Sequence, residues 1–187
     1  MTDQTPAAAG KISRTQQLTL MGLMTAAICI AAPFSIPVPV SPVPLTLSNL
    51  VIYMAVYILG MKLATVSCVT YLILGAVGLP IFSSFSGGLG KLAGPTGGYL
   101  VGFIFLALIQ GFLMKSRPGS SLAAVAGMIL GTAVCYIFGT VWLGVQSGLP
   151  FSAALSAGVI PYLPGDTVKI IAAAVLGPKL QAAVKRV

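Results

Sequence analysis

The chain of 187 residues contains no histidine and no glutamate, and its only two acids are Asp3 and Asp166. These absences exclude whole classes of chemistry. A Ser–His–Asp relay needs an imidazole base. Paired-carboxylate acid–base catalysis needs two carboxyl groups at one site. A hydrolytic metal centre needs several nitrogen, sulfur or oxygen ligands. The three cysteines, Cys29, Cys68 and Cys135, lie in separate apolar runs without metal-ligand spacing. They read as small, free, buried apolar residues. A nucleotide loop is missing too, because a Walker pattern through Gly90-Lys91 would need Gly and Ser or Thr where the chain has Phe85 and Leu92. The sequence therefore points away from an enzyme, a metal site or a bound cofactor, and toward recognition.

Charge is scarce as well. Only 6% of the residues are charged and 57% are hydrophobic, against about 25% charged in a soluble domain. The composition predicts an all-α integral membrane protein: one transmembrane domain over residues 1–187, with room for about six spans of roughly 20 residues. The net charge of +8 does not imply nucleic acid, since the bases sit near the ends of apolar runs, as membrane topology requires.

Residues 1–16 are polar and expected to be flexible, without a clear cleavage pattern, so the first apolar run reads as a retained helix from about Gln17 to Ala32. Pro33 ends it. Five prolines fall between Pro33 and Pro44, and a residue without an N–H cannot continue a helix. This uncharged loop is expected to pack on the membrane surface or to cover something. A short second helix is expected from about Thr46 to Gly60, with Ser48 and Asn49 near its start. Gly60-Met61-Lys62 reads as a tight turn into a third helix from Leu63 to Val77. Later helices are expected at about Gly97–Met114, Ser121–Val145 and Gly165–Ala183. Residues 146–160 read as a re-entrant or surface segment. Ala123, Gly127 and Gly131 form a small-residue stripe that lets helices approach closely.

Two stretches stand out. Ser83 to Tyr99 holds six glycines and leads into a helix N-terminus, where free N–H groups and a partial positive charge suit an anion. The sequence reading expects this stretch to close over a ligand, or simply to turn the chain. The second is Gly165-Asp166-Thr167-Val168-Lys169, with an acid and a base on one helical face. A charge in an apolar span usually faces a partner or a cavity, although the two could merely neutralise each other. Phe85, Tyr99, Trp142 and Tyr162 are candidates for an apolar wall.

With both termini on one side, that side collects Lys11, Arg14, Lys62, Lys115, Arg117, Lys179, Lys185 and Arg186, against Lys91 on the other. This bias predicts cytoplasmic termini. The Pro-rich loop, the Gly-rich stretch and Asp166–Lys169 would then converge toward the outer face.

Gly94-Pro95-Thr96-Gly97-Gly98-Tyr99 following a Gly-Leu-Pro turn, together with Gly165-Asp166 and Lys169 on the last helix, resembles the BioY family. That family comprises the biotin-binding S subunits of energy-coupling-factor (ECF) transporters. The likeness extends over nearly the whole chain after residue 17. It implies a six-helix S-component bundle in the cell membrane of a prokaryote that captures biotin from outside. It also implies a transmembrane scaffold subunit and two cytoplasmic ATPase subunits as partners. Members are also thought to work without the full complex in some settings. The resemblance carries the ligand site onto Gly94, Pro95, Thr96, Gly97, Gly98, Tyr99, Asp166 and Lys169, with Asp166 and Lys169 reading the ureido ring. Some relatives have Arg directly after Gly-Gly-Tyr. This chain has Leu100, which leaves Lys91, Ser86 or backbone N–H groups to meet the valerate carboxylate. An Ala-xxx-Ala patch at Ala27 and Ala31 fits either contact with the scaffold or packing within the chain. The alternative function is a self-sufficient secondary transporter or channel for another small solute.

Overall fold

The computed structural model describes residues 13–39 and 41–184. The expected flexibility of residues 1–16 falls largely outside the described residues. From Ser13 onward the chain is already ordered into α1 (Arg14–Ala31). The helix begins earlier than composition suggested because Ser13 and Gln16 form a reciprocal cap: the Ser13 hydroxyl accepts the Gln16 N–H and the Gln16 side chain accepts the Ser13 N–H.

The Pro-rich loop is a strap between two short strands, β1 (Ser35–Ile36) and β2 (Leu45–Thr46), paired antiparallel with Ser35 opposite Thr46. Next comes α2 (Ser48–Ala76), interrupted at Gly60 (φ 74°, ψ 177°). That backbone conformation is readily available only to glycine. The chain reverses there. Ser48 and Tyr71 line one small cavity, whereas an unbroken helix would hold them about 35 Å apart. The expected turn at Gly60-Met61-Lys62 is thus present, and the two halves of α2, 48–59 and 61–76, run as a hairpin.

The Gly-rich stretch contains more structure than a loop. It has a single 3₁₀ turn (Ser83–Phe85), a short helix α3 (Leu89–Ala93), and then the start of α4 (Gly97–Ser116). The chain continues through α5 (Ser121–Ser147), a short α6 (Phe151–Gly158) in the expected surface segment, and α7 (Leu163–Val184). Among the described residues, four stretches are long and apolar enough to cross a membrane: Ser48–Ala76, Gly97–Ser116, Ser121–Ser147 and Phe151–Val184. Bulky apolar residues such as Ile30, Phe112, Ile137 and Ile171 are more than half exposed. That pattern suits lipid, where water would disfavour it.

The seam between α4 and α5 explains the small-residue stripe. A Cβ on Gly127 would lie 2.8 Å from the Cα of Gln110, one on Gly131 3.0 Å from the carbonyl oxygen of Leu106, and one on Gly102 2.7 Å from Cys135 Sγ. One partner advances by four as the other retreats by four, which is two antiparallel helices with their backbones in near contact. Gly131→Val is expected to lower stability by about 1–3 kcal/mol through overpacking, read as a fall in the unfolding midpoint in detergent. An unchanged midpoint would contradict this close approach.

Candidate functional site

Asp166 and Lys169 sit in the first two turns of α7 and are only 6% and 7% exposed. Val159 to Tyr162 turns the chain through a 3₁₀ segment, and Pro164 at the helix start costs no hydrogen bond. Asp166 then falls in the first turn, where the helix dipole favours a negative charge. The carboxylate is held by three donors. Lys169 Nζ and Asn49 Nδ2 reach Oδ1 at 2.8 and 2.9 Å, and the Tyr136 hydroxyl donates to Oδ2. Lys169 Nζ also donates to the carbonyl of Thr46 at 2.6 Å. A buried ion pair is stable only when its remaining hydrogen-bonding capacity is met, and here α2, α5, α7 and β2 all contribute.

These groups border a cavity of about 60 Å³. Tyr99, Phe103 and Leu106 of α4 and Cys135 and Tyr136 of α5 form its walls, and Val43 to Thr46 of the strap lies over it. The strap is latched by the Tyr162 hydroxyl, which donates to the carbonyl of Val43, and by the Lys169–Thr46 bond. Small-molecule pockets usually measure about 300–1,000 Å³. The space beneath the strap therefore has to widen before it holds such a ligand, and both latches stand in the way.

A second cavity of about 40 Å³ adjoins it, sharing Val43, Pro44, Thr46, Tyr99 and Phe103. It is lined by the hydroxyl-bearing residues Ser48, Tyr71, Ser83 and Thr96 and by Leu100. The Tyr71 hydroxyl is buried beside Ser48 and makes no hydrogen bond of normal geometry. Leaving such a group unpaired costs roughly 1–3 kcal/mol, so it is a donor held in reserve.

The structure brings Asp166, Lys169 and Tyr99 together at the first cavity and Thr96 and Tyr99 at the second. Gly94, Pro95, Gly97, Gly98, Ser86 and Lys91 line neither. The Gly94 carbonyl accepts from Trp142 Nε1 at 2.9 Å, which ties the stretch to α5. A Cβ on Gly97 would meet the Leu92 carbonyl oxygen at 1.6 Å, and one on Gly98 the Trp142 Cβ at 2.3 Å. These glycines permit close packing. The Ser86 hydroxyl donates to the carbonyl of Ser83. Lys91 lies on α3 and is half-buried, and burial holds its ammonium below the usual lysine pKa. Tyr99 presents its ring to the cavity while its hydroxyl donates to the Gly158 carbonyl at 3.0 Å. Of the other aromatic candidates, Tyr162 lines the first cavity, Phe85 is 60% exposed against Phe34, and Trp142 stacks on Phe138. Ala27 and Ala31 are half-buried along α1.

Sequence reasoning missed Asn49 and Tyr136 as partners of Asp166. Asn49 carried a signal, as an amide near the start of an apolar helix. A tyrosine within α5 carried none. Among the described residues no cluster of His, Cys or acidic side chains could hold a metal.

A family model described as the BioY family matches residues 3–186. A biotin transporter BioY of Thermotoga maritima is 36% identical over 89% of this chain and 96% of its own length. One from Rhizobium etli is 36% identical over 87% of this chain and 91% of its own length. The fold is similar to a crystal structure of the S-component for biotin from an ECF-type ABC transporter. That match has a TM-score of 0.83 at 31% identity and covers 92% of this chain and 95% of the other. With four apolar membrane-length stretches, this is a multi-pass membrane protein of a transporter family and not of an enzyme class. The chain belongs to the BioY family.

Proposed function

We propose that this chain is the membrane subunit that captures biotin from the outer face of a prokaryotic cell membrane for ECF-type uptake. The observation that carries this reading is the buried Asp166–Lys169–Asn49–Tyr136 cluster beneath the strap. A ureido ring offers two N–H donors and one carbonyl acceptor. Asp166 matches the donors, and Lys169 or Asn49 matches the carbonyl. On binding, the ring would exchange places with bonds the cluster now makes to itself and to Thr46. Titration of the purified protein with biotin tests the reading: saturable binding at one site per chain is expected, and no binding would overturn it.

In this proposal α1, the two halves of α2, α4, α5 and α7 make six crossings with both termini cytoplasmic. A transmembrane scaffold and two ATPase subunits supply the energy, and Ala27 and Ala31 on α1 are available to the scaffold. The valerate carboxylate goes to the hydroxyl-lined cavity, where the hydroxyls of Tyr71 and Thr96 supply donors in place of the arginine absent at Leu100. Tyr71→Phe should weaken biotin binding about tenfold or more, the value of a hydrogen bond to a charged group. It should leave binding of biotin methyl ester little changed. Equal losses for the two ligands would move the carboxylate elsewhere.

A further inference from the structure

A larger cavity, of about 600 Å³, opens at the opposite end of the bundle from Asp166. It lies where α2 reverses at Gly60, α4 ends, α5 begins and α7 approaches its C-terminus. Its floor is apolar: Leu59, Met61 and Met114 are partly exposed in it, over the buried Val56, Tyr57 and Ala124. Its rim carries three cations from separate parts of the chain, Lys62 after the reversal, Lys115 at the end of α4 and Arg117 in the following turn. Asp166 is the one acid among the described residues, and it is paired at the far end. No described carboxylate therefore neutralises this rim. The N-terminus of α5, capped by the Ser120 hydroxyl at Ala123 N–H, adds further positive potential.

We infer that this cavity is a binding site for an anionic phospholipid, with the phosphate on Lys62, Lys115 and Arg117 and the acyl chain along the apolar floor. A basic rim alone fits any phosphate. The apolar floor is what selects a lipid over a free anion, since a soluble phosphate leaves that surface uncovered. Basic pockets between helices at headgroup depth favour anionic lipids by about 1 kcal/mol for each Lys or Arg, or about fivefold per charge. The inference is independent of which solute the other end of the protein captures.

The test is native mass spectrometry of the full chain released from mixed phosphatidylglycerol and phosphatidylcholine bilayers. At least one phosphatidylglycerol should be retained under activation that strips phosphatidylcholine. Lys62→Gln should reduce that retention about fivefold, and Lys62→Gln with Lys115→Gln and Arg117→Gln should abolish the preference. Lys179→Gln is the matched control, because it removes one charge from α7 near Pro178 without lining the cavity. It should leave retention unchanged. All four side chains are exposed, so unfolding midpoints in phosphatidylcholine should match and a folding defect would be visible there. Equal retention of the two lipids would overturn the proposal and leave the rim to an acidic partner segment. Displacement of phosphatidylglycerol by millimolar inorganic phosphate would overturn it in favour of a soluble anion. An equal loss with Lys179→Gln would reduce the effect to general surface charge.

Discussion

Changing Asp166 to Asn and Lys169 to Gln together is expected to leave a folded protein whose affinity for biotin is lower by roughly two to four orders of magnitude. The estimate follows from two lost charge-assisted hydrogen bonds at about 1.5–3 kcal/mol each. The double change is needed because each single change leaves a buried charge without its partner. That alone costs about 3–5 kcal/mol and would mix instability with recognition. The surroundings tolerate the neutral pair. An Asn at 166 still accepts from Tyr136 or Asn49, and a Gln at 169 can still donate to the Thr46 carbonyl. The measurements are an unfolding midpoint and a biotin titration on the same sample. A stable double variant with near-native affinity would make the pair structural and end its role in recognition. The methyl ester of biotin should lose as much affinity as biotin if, as proposed, these residues meet the ureido end.

Much of this site was legible in the chain because charge is so rare in it. Asp166 and Lys169 stand three apart at the start of an apolar helix, and that spacing puts both on one helical face. The helices were legible for the same reason, since proline and glycine punctuate the long apolar runs. Gly60 is such a case: its left-handed conformation makes the hairpin that sequence spacing suggested. Partners contributed across the bundle were not legible. Asn49 and Tyr136 reach Asp166 from positions 117 and 30 residues away, and nothing in local periodicity links them. The covering element was also ambiguous. Glycine density pointed to residues 83–99 as the mobile cover. In the structure the Pro-rich strap overlies the cavity, held by polar latches. Glycine has two uses, conformational freedom and close approach, and sequence alone does not say which one applies.

Gly97 separates those two uses. Its Cβ would sit 1.6 Å from the carbonyl oxygen of Leu92 and 2.6 Å from the carbonyl carbon. The obstacle is backbone, so no rotamer change relieves it. The Leu92 backbone cannot easily withdraw, because Lys91 accepts the Gly94 N–H and Gly94 in turn accepts from Trp142. Gly97→Ala should therefore cost about 3 kcal/mol or more, at or beyond the upper end of overpacking penalties. It should be seen as a large drop in unfolding midpoint and in the yield of monodisperse protein. Gly90 is the control from the same stretch, with nothing within 4 Å of its would-be Cβ and no positive φ. Gly90→Ala should be neutral or stabilising by about 0.4–1 kcal/mol, through the reduced freedom of the unfolded chain. The contrast between these two single-methyl changes distinguishes packing from ligand contact. If Gly97 served the ligand as a flexible cover, Gly97→Ala would melt normally and bind biotin poorly. If it serves the fold, the midpoint falls first, and whatever protein stays folded at low temperature binds biotin close to normally, since Gly97 borders neither cavity beneath the strap.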